Sequence, residues 1–250
     1  MSEKRIIETF ELTKLYNGQA AVDKLSFHVN EGEIFGFLGP NGSGKTTTLL
    51  MLLGLSSPSE GRSIVCGLDP IKESRKIKSM VGYLPENVGF YPDLDAIQTL
   101  DFIADLNNIP KEEAERRIPE VLELVGLKGE ARKKVVAYSR GMKQRLGIAE
   151  VLIKNPVVLF LDELTLGLDP EGATNLVDLI ARLNREKGIT VLLSSHNLYQ
   201  VQRICDRLGI MINGKMVAQG TMEELAEEKF GIGGKDYSLE EIYLRYFQEN

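Results

Sequence analysis

Eight residues near the start of the chain have the types and spacing needed to bind phosphate: Gly39-Pro40-Asn41-Gly42-Ser43-Gly44-Lys45-Thr46. They fit the pattern of a glycine, four free positions and then Gly-Lys-Thr. The apolar run 34–38 before them predicts a buried strand, and residues 47–53 after them predict the start of a helix. A glycine-rich turn between a strand and a helix aims backbone N–H groups and the positive end of the helix dipole at one anion. The stretch therefore predicts a site for nucleotide phosphates.

Each residue type in this loop has a chemical reason to be there. Glycine allows a positive φ and a close approach of the backbone to a bound anion. Lys45 is expected to reach the outer phosphates, and the Thr46 hydroxyl to hold Mg²⁺. The predicted nucleotide-binding residues of the loop and the helix start are Gly39, Asn41, Gly42, Ser43, Gly44, Lys45, Thr46 and Thr47.

A second motif consists of the apolar run 157–161 followed by Asp162 and Glu163. Such a continuous run is typical of a parallel strand buried on both faces. It places Asp162 at the carboxyl edge of the sheet, where it is expected to hold the Mg²⁺ that bridges the phosphates. Glu163 is then free to orient a water for in-line attack on the γ-phosphate. A second run, 189–193, and a helix over 171–186 predict a β-α-β unit.

The composition is that of a soluble globular protein, and it limits the classes of partner. Apolar residues make up 43% and charged residues 26% of the 250 residues, and the net charge is −6. Without a clustered basic stripe, this acidic balance argues against nucleic acid as the main partner. No uncharged apolar run approaches the roughly 18 residues of a membrane span, and the first residues are not typical of a signal peptide. Cys66 and Cys205 lack metal-ligand spacing, which predicts reduced thiols in a cytosolic protein.

Further motifs resemble those of ABC-type ATPases, and together they cover about residues 4–220. Residues 138–145, YSRGMKQR, resemble a variant of the signature sequence of that family. Residues 82–86 resemble its Q-loop, residues 167–170 its D-loop, and His196 its switch histidine. Tyr16 stands at the position of the aromatic residue that stacks on adenine. The chain has no Asn-Lys-x-Asp motif for reading guanine.

The resemblance implies a RecA-like α/β fold with a P-loop NTPase core and an antiparallel β edge. The ABC ATPase domain is expected over residues 1–220, with the core over 1–86 and 151–220. A helical subdomain is expected over about 87–150, and a short acidic tail over 221–250. This tail holds eight acidic and three basic residues, and we expect it to be a docking or regulatory appendage.

The resemblance also implies a nucleotide site shared between two copies of the chain. ABC ATPases bind ATP between two such domains arranged head to tail. Ser139 and the Gly141 N–H, together with Asp169 of the D-loop, would face the nucleotide held by the other copy. His196 would contact the γ-phosphate and hold Glu163 and the attacking water in place. With ATP and Mg²⁺ as cofactors, the predicted catalytic residues are Glu163, His196 and Lys45, and the predicted metal ligands are Thr46, Glu86 and Asp162.

The implied function is ATP hydrolysis by the nucleotide-binding subunit of a membrane transporter. The variant signature and residues 238–243 of the tail resemble ATPases of drug- or polysaccharide-type exporters. The expected partners are a second ATPase subunit and a separate transmembrane permease. A cytoplasmic helix of this permease would dock in the groove beside Glu86 and the helical subdomain. The subunit would then be cytoplasmic and peripheral on the cytoplasmic face of the cell membrane.

Several residues depart from the usual pattern of the family. Glu86 replaces the glutamine of the Q-loop, and Leu164 replaces a proline after the acid pair, which removes a fixed φ. Arg140 replaces the first glycine of the commoner signature and Met142 its glutamine, while the backbone donor of Gly141 remains.

Two other functions stay open at this point. The first is a soluble ABC ATPase acting on DNA or the ribosome. The chain argues against it, because only 52 residues without heptads separate Glu86 from Ser139 and there is one ATPase domain. The second is a nucleotide-dependent dimerisation module that does not hydrolyse ATP, which Glu86 and Leu164 suggest.

Overall fold

The computed structural model describes residues 4–231 and 237–249; residues 1–3, 232–236 and 250, which belong to the predicted core and tail, lie outside the described residues. In chain order, the strands are β1 (Arg5–Tyr16), β2 (Gln19–Leu25), β3 (His28–Asn30), β4 (Ile34–Leu38), β5 (Glu60–Val65), β6 (Val81–Leu84), β7 (Val158–Asp162), β8 (Thr190–Ser195), β9 (Arg207–Ile212) and β10 (Lys215–Gly220). The α-helices are α1 (Lys45–Leu52), α2 (Ser74–Met80), α3 (Ala96–Leu106), α4 (Lys111–Leu124), α5 (Arg140–Leu152), α6 (Pro170–Lys187), α7 (Leu198–Ile204), α8 (Met222–Phe230) and α9 (Leu239–Glu249).

The central sheet has six strands in the order β10-β9-β4-β8-β7-β6. Neighbouring strands from β9 to β6 are parallel, whereas β10 is antiparallel to β9. Every residue of β4, β7 and β8 is buried. Phe35, Phe37 and Phe160 belong to an apolar cluster on one side, and Leu159 and Leu193 belong to a cluster on the other. Burial on both faces explains why these strands are continuous apolar runs in the sequence.

A smaller antiparallel sheet forms the predicted β edge. Its strands have the order β2-β1-β3, and β5 also pairs with β1. For this sheet the sequence predicts strands over 6–12, 25–29 and 62–66, whereas β1 extends to Tyr16 and β2 occupies residues 19–25. In β2 only Val22 and Leu25 are buried, so the strand lacks the apolar run that would have indicated it. The observed fold is a RecA-like α/β core with this antiparallel edge, as predicted.

The predicted helical region contains three helices, α3, α4 and α5, that pack against one another. Asp95 begins α3 with a capping box, in which its side chain accepts from Gln98 N and the Gln98 side chain accepts from Asp95 N. Helix α5 also packs on β6 of the central sheet, which joins this subdomain to the core. None of the helices that the structure describes combines the length and apolar character needed to span a bilayer.

The described part of the acidic tail is helical and packs against the rest of the protein. Helix α9 contacts α7 and α8, and α8 contacts β10. Leu239, Ile242 and Tyr246 of α9 are buried in the same apolar cluster as the central sheet. Leu244 and Phe247 lie on the exposed side of the helix. An amphipathic helix of this kind contributes apolar surface to the core. The acidic composition of the tail therefore does not indicate that one face of α9 is buried.

We expect Ile242→Ala to lower the free energy of unfolding by about 2–4 kcal/mol, because it deletes fully buried apolar atoms and leaves a cavity. Leu244→Ala is the matched control, since Leu244 is on the same helix and exposed; its effect should stay within about 0.5 kcal/mol. Urea unfolding of the two variants measures the difference. Equal effects would show that α9 does not pack on the core in solution.

Candidate active site

The phosphate loop connects the end of β4 to the start of α1. Helix α1 begins at Lys45, so both Lys45 and Thr46 lie in its first turn, earlier than the sequence predicts. Gly44 caps the helix with φ 101°, and Gly42 has φ 81°. A Cβ atom on Gly39 would lie 2.3 Å from the Met211 carbonyl oxygen of β9, which is far closer than atoms can approach. The loop therefore depends on glycine for its conformation at two positions and for space at a third.

The loop residues differ in their exposure. Asn41, Gly42 and Thr46 are exposed, Thr47 is partly buried, and Ser43 is buried. The Ser43 hydroxyl has no hydrogen-bond partner among the described residues. Because a buried hydroxyl without a partner is costly, this atom is suited to bond to a ligand held in the loop. The first N–H groups of α1 also lack partners within the helix, as at any helix start.

The Lys45 ammonium is buried beside its own loop, with only 5% of the side chain exposed. Its Nζ donates to the Gly39 carbonyl at 2.8 Å and to the Pro40 carbonyl at 3.1 Å. The same Nζ lies 3.5 Å from Glu163 Oε1. The positive charge is thereby held between the phosphate loop and the acid that follows β7.

Asp162 and Thr46, two of the predicted metal ligands, are in contact. Thr46 Oγ1 donates to Asp162 Oδ1 at 3.1 Å, and the hydroxyl of Ser194 also donates to Asp162 Oδ1. Asp162 is 2% exposed. A hydroxyl and a carboxylate side by side are hard oxygen donors of the kind that Mg²⁺ prefers.

Glu86, the third predicted metal ligand, is placed differently. It is exposed just beyond β6 and forms no hydrogen bond or ion pair with Thr46 or Asp162 in the part of the chain that the structure describes. Both carboxylates act electrostatically on Tyr83. Burial, together with the carboxylates of Asp162 and Glu86, raises the pKa of Tyr83 to about 12. Tyr83 therefore stays neutral at physiological pH between these acidic groups.

Glu163 and His196 form a close pair. His196 Nδ1 lies 2.8 Å from Glu163 Oε2. The backbone of Glu163 has φ 49°, in the left-handed region that favours glycine, and its N–H donates to the Ser194 carbonyl at 3.1 Å. Lys45, Glu163 and His196 therefore form a row, joined through the two oxygens of one carboxylate.

Tyr16 lies at the end of β1, in the hairpin that leads into β2, and is 49% exposed. The Lys14 ammonium lies 5.0 Å from the centre of its ring. Strand β2 packs directly on the phosphate loop, because a Cβ on Gly44 would lie 2.5 Å from the Ala21 carbonyl oxygen. The ring is thus an exposed aromatic surface on a hairpin that flanks the loop.

The signature and the D-loop form a second group of predicted site residues. Ser139 caps α5, with its hydroxyl accepting from Met142 N at 3.2 Å, and Asp169 caps α6, accepting from Gly172 N at 2.9 Å. A cavity of about 380 Å³ is lined by residues of both segments, including Ser139, Gly141 and Asp169. None of the described phosphate-loop residues lines it. One chain therefore brings together Lys45, Glu163 and His196 but leaves the signature on a separate surface.

No motif in the sequence indicates Ser194 as a site residue, although it contacts both Asp162 and Glu163. Its hydroxyl donates to Asp162, and its carbonyl accepts from Glu163 N. The available signal was the polar pair Ser194-Ser195 before His196, which continues a strand that is buried along its whole length. Buried hydroxyls at the end of a strand need partners, and here the acid pair of the neighbouring strand supplies one.

The fold and the site define an ATPase of the P-loop class with a separate signature surface. The model of the ABC transporter family matches residues 22–166, and the chain belongs to that family. It is the ATP-binding and ATP-hydrolysing module of a transporter.

Named relatives and solved structures agree with this assignment. The bacitracin transport ATP-binding protein BcrA of Bacillus licheniformis is 44% identical over 88% of this chain and 71% of its own length. A solved ATP-binding subunit of an ABC transporter superposes with a TM-score of 0.85 and 30% identity, over 97% of this chain and 99% of that one. The ATP-binding cassette MJ0796, solved as a dimer bound to ADP and Pi, has a TM-score of 0.77 and 25% identity over 86% and 98% of the two chains.

We expect Gly39→Ala to weaken ATP binding at least about tenfold, because the added methyl group would overlap the Met211 carbonyl and force the loop to move. Gly129→Ala is the control, since a Cβ there meets nothing within 4 Å and its φ is not positive. Calorimetric titration of both variants with ATP gives the affinities. Equal affinities would contradict the close approach of the loop to β9.

Proposed function

We propose that two copies of this chain bind and hydrolyse ATP between them and thereby power export through a separate membrane subunit. The observation that carries the proposal is the row formed by Lys45, Glu163 and His196 beside a phosphate loop. These groups are of the kinds needed to bind a triphosphate and to attack its terminal phosphate. The signature residues that would complete the site lie on another surface of the same chain.

ATP is bound mainly by backbone groups and one ammonium. The N–H groups of the loop and the first turn of α1 point toward the phosphates, and the helix dipole favours their negative charge. Lys45 supplies a positive charge that is already desolvated. Tyr16 offers its exposed ring for stacking on the adenine.

Glu163 orients the water that attacks the γ-phosphate. An ionised carboxylate only accepts hydrogen bonds, so the proton of the shared bond lies on His196 Nδ1. His196 thereby fixes one oxygen of Glu163. A contact of its Nε2 with the γ-phosphate would require a proton on that nitrogen as well, so that it can donate. Lys45, 3.5 Å from the other oxygen, holds the same carboxylate from the opposite end.

Thr46 and Asp162 would hold Mg²⁺, and Glu86, which contacts neither of them among the described residues, would be a further oxygen ligand. A Mg²⁺ ion held by these residues would supply positive charge that offsets the charge of the phosphates. The contact between the Thr46 hydroxyl and the Asp162 carboxylate supports this role.

The site is completed by a second copy in head-to-tail arrangement. Ser139, the Gly141 N–H and Asp169 would contact the nucleotide that the other copy holds on its phosphate loop. A helix start with an N-cap serine is a favourable place for a phosphate. The ATP-binding cassette MJ0796, solved as a dimer bound to ADP and Pi, supports assembly of two copies with bound nucleotide.

A groove between the core and the helical subdomain fits a helix of the membrane subunit. A cavity of about 310 Å³ there is lined by apolar, basic and acidic side chains, including Leu53, Leu55, Ile103, Glu150 and Lys154, but not by Glu86. Leu55, which lines this cavity, is exposed. Exposed apolar residues beside a groove are typical of a protein interface. The relative BcrA is named for bacitracin transport, which supports a role in transport, and docking would place the subunit on the cytoplasmic face of the membrane.

Glu163→Gln tests the catalytic assignment. The variant keeps the shape of the side chain and should bind ATP, but its turnover should fall by about 10²–10⁴, because the amide is a poor orienter and base for water. Lys45→Ala should instead abolish nucleotide binding. Steady-state phosphate release and ATP titration measure the two effects. Turnover at the wild-type rate in Glu163→Gln would remove Glu163 from its role.

Mixing two inactive variants tests the shared site. Lys45→Ala destroys the phosphate loop, and Gly141→Asp places a negative charge on the signature, where a Cβ meets only Leu168 Cδ2 at 3.9 Å. In an equal mixture half of the dimers are mixed, and each then has one intact site, so up to about a quarter of wild-type activity should return. Wild-type turnover per subunit should also rise with protein concentration. A mixture as inactive as its components would contradict a site built from two copies.

A further inference from the structure

The chain that follows Glu163 is held by side chains from two other helices. Because Glu163 has a left-handed φ of 49°, contacts just after it are needed to keep the backbone turned. Gln144 Nε2 of α5 donates to the Leu164 carbonyl at 2.8 Å. The Thr165 hydroxyl donates to Gln200 Oε1 of α7. The hydrogen bond of Gln144 is buried, and that of Thr165 with Gln200 is partly buried.

The contact between Thr165 and Gln200 closes a ring with the catalytic pair. Thr165 lies two residues after Glu163, and Gln200 lies four residues after His196. His196 Nδ1 is 2.8 Å from Glu163 Oε2. The segment that begins at Glu163 and the segment that begins at His196 are therefore joined twice. One contact is between Glu163 and His196, and the other is between Thr165 and Gln200. All four residues line one cavity of about 320 Å³.

His196 depends on this second connection more than on packing. Its side chain is 47% exposed, so neighbouring atoms do not fix the imidazole. The ion pair of Arg203 with Asp178 also holds α7, but it lies at the surface, where such pairs contribute little. Leu164, where a proline would fix φ, leaves the loop to be held by hydrogen bonds.

We propose that Gln200, acting through the Thr165 hydroxyl, is a positioning residue that sets His196 against Glu163. The inference rests on the proposed function, because the position matters only if Glu163 orients the attacking water. Loss of the contact leaves the phosphate loop and the packing of Val201 intact, but it removes the hydrogen bond that ties the segment after His196 to the segment after Glu163. The expected consequence is a lower kcat with unchanged binding of ATP.

Two pairs of variants test this role. Gln200→Leu and Thr165→Val remove the acceptor and the donor with little change of volume, and each should lower kcat about tenfold with KM within twofold, as expected for a misplaced catalytic group. Gln200→Glu and Thr165→Ser keep an acceptor and a donor and should retain at least half of the activity. The double variant Gln200→Leu/Thr165→Val should be no slower than the worse single variant, because both remove one interaction.

Gln202→Leu is the matched control, since Gln202 lies on the same helix but accepts from Leu239 N of α9; its kcat should equal that of the wild type. An unchanged kcat in Gln200→Leu and Thr165→Val would overturn the proposal. So would equal losses of kcat, ATP affinity and Tm that Gln200→Glu and Thr165→Ser do not rescue, because these losses indicate a structural role.

Glu163→Gln, measured in parallel, separates the catalytic role of Glu163 from the positioning role of Gln200. If it abolishes turnover while Gln200→Leu does not change it, only the positioning role fails. If it turns over at the wild-type rate, the catalytic assignment fails and the positioning role fails with it.

Discussion

The site depends on the register of three neighbouring parallel strands. In the central sheet Leu38 of β4 pairs with Ser195 of β8, and Asp162 of β7 pairs with Ser194. Because the strands are parallel, the chain leaves all three at the same edge. The phosphate loop, the acid pair and His196 therefore meet there although they are far apart in the sequence. A slip of one residue in β7 would turn Asp162 to the opposite face.

The same strand register brings hydrogen-bond partners to the charged side chains that are buried next to the core. Lys45, Asp162 and Glu163 are buried polar residues at the edge of a sheet whose central strands are mostly apolar. Burying a charge is costly unless it is paired and hydrogen-bonded. Backbone carbonyls of the loop, the hydroxyls of Thr46 and Ser194, and His196 provide these partners. The groups that would bind and attack a triphosphate are thus held in place by the contacts that make their burial possible.

One chain holds its chemical groups on two surfaces. The row from Lys45 to His196 lies at the sheet edge, whereas Ser139 and Asp169 cap two helices around a different cavity. We propose that this division makes hydrolysis depend on the meeting of two copies, so that ATP binding is linked to a change of assembly. Helix α7 connects the site with the tail, because it begins just after His196 and contacts α9.

The sequence by itself determined the phosphate loop, the buried strands and the acid pair, because local spacing and apolar runs specify them. It did not reveal β2, whose exposed residues give no apolar run, nor the helical tail, whose buried face is hidden by acidic residues. It also missed Ser194 and Gln200, since a serine or a glutamine has no motif of its own. Only the tertiary structure decided their roles, because these depend on which strand or helix lies beside them, and pairing between distant segments is not encoded in any local pattern.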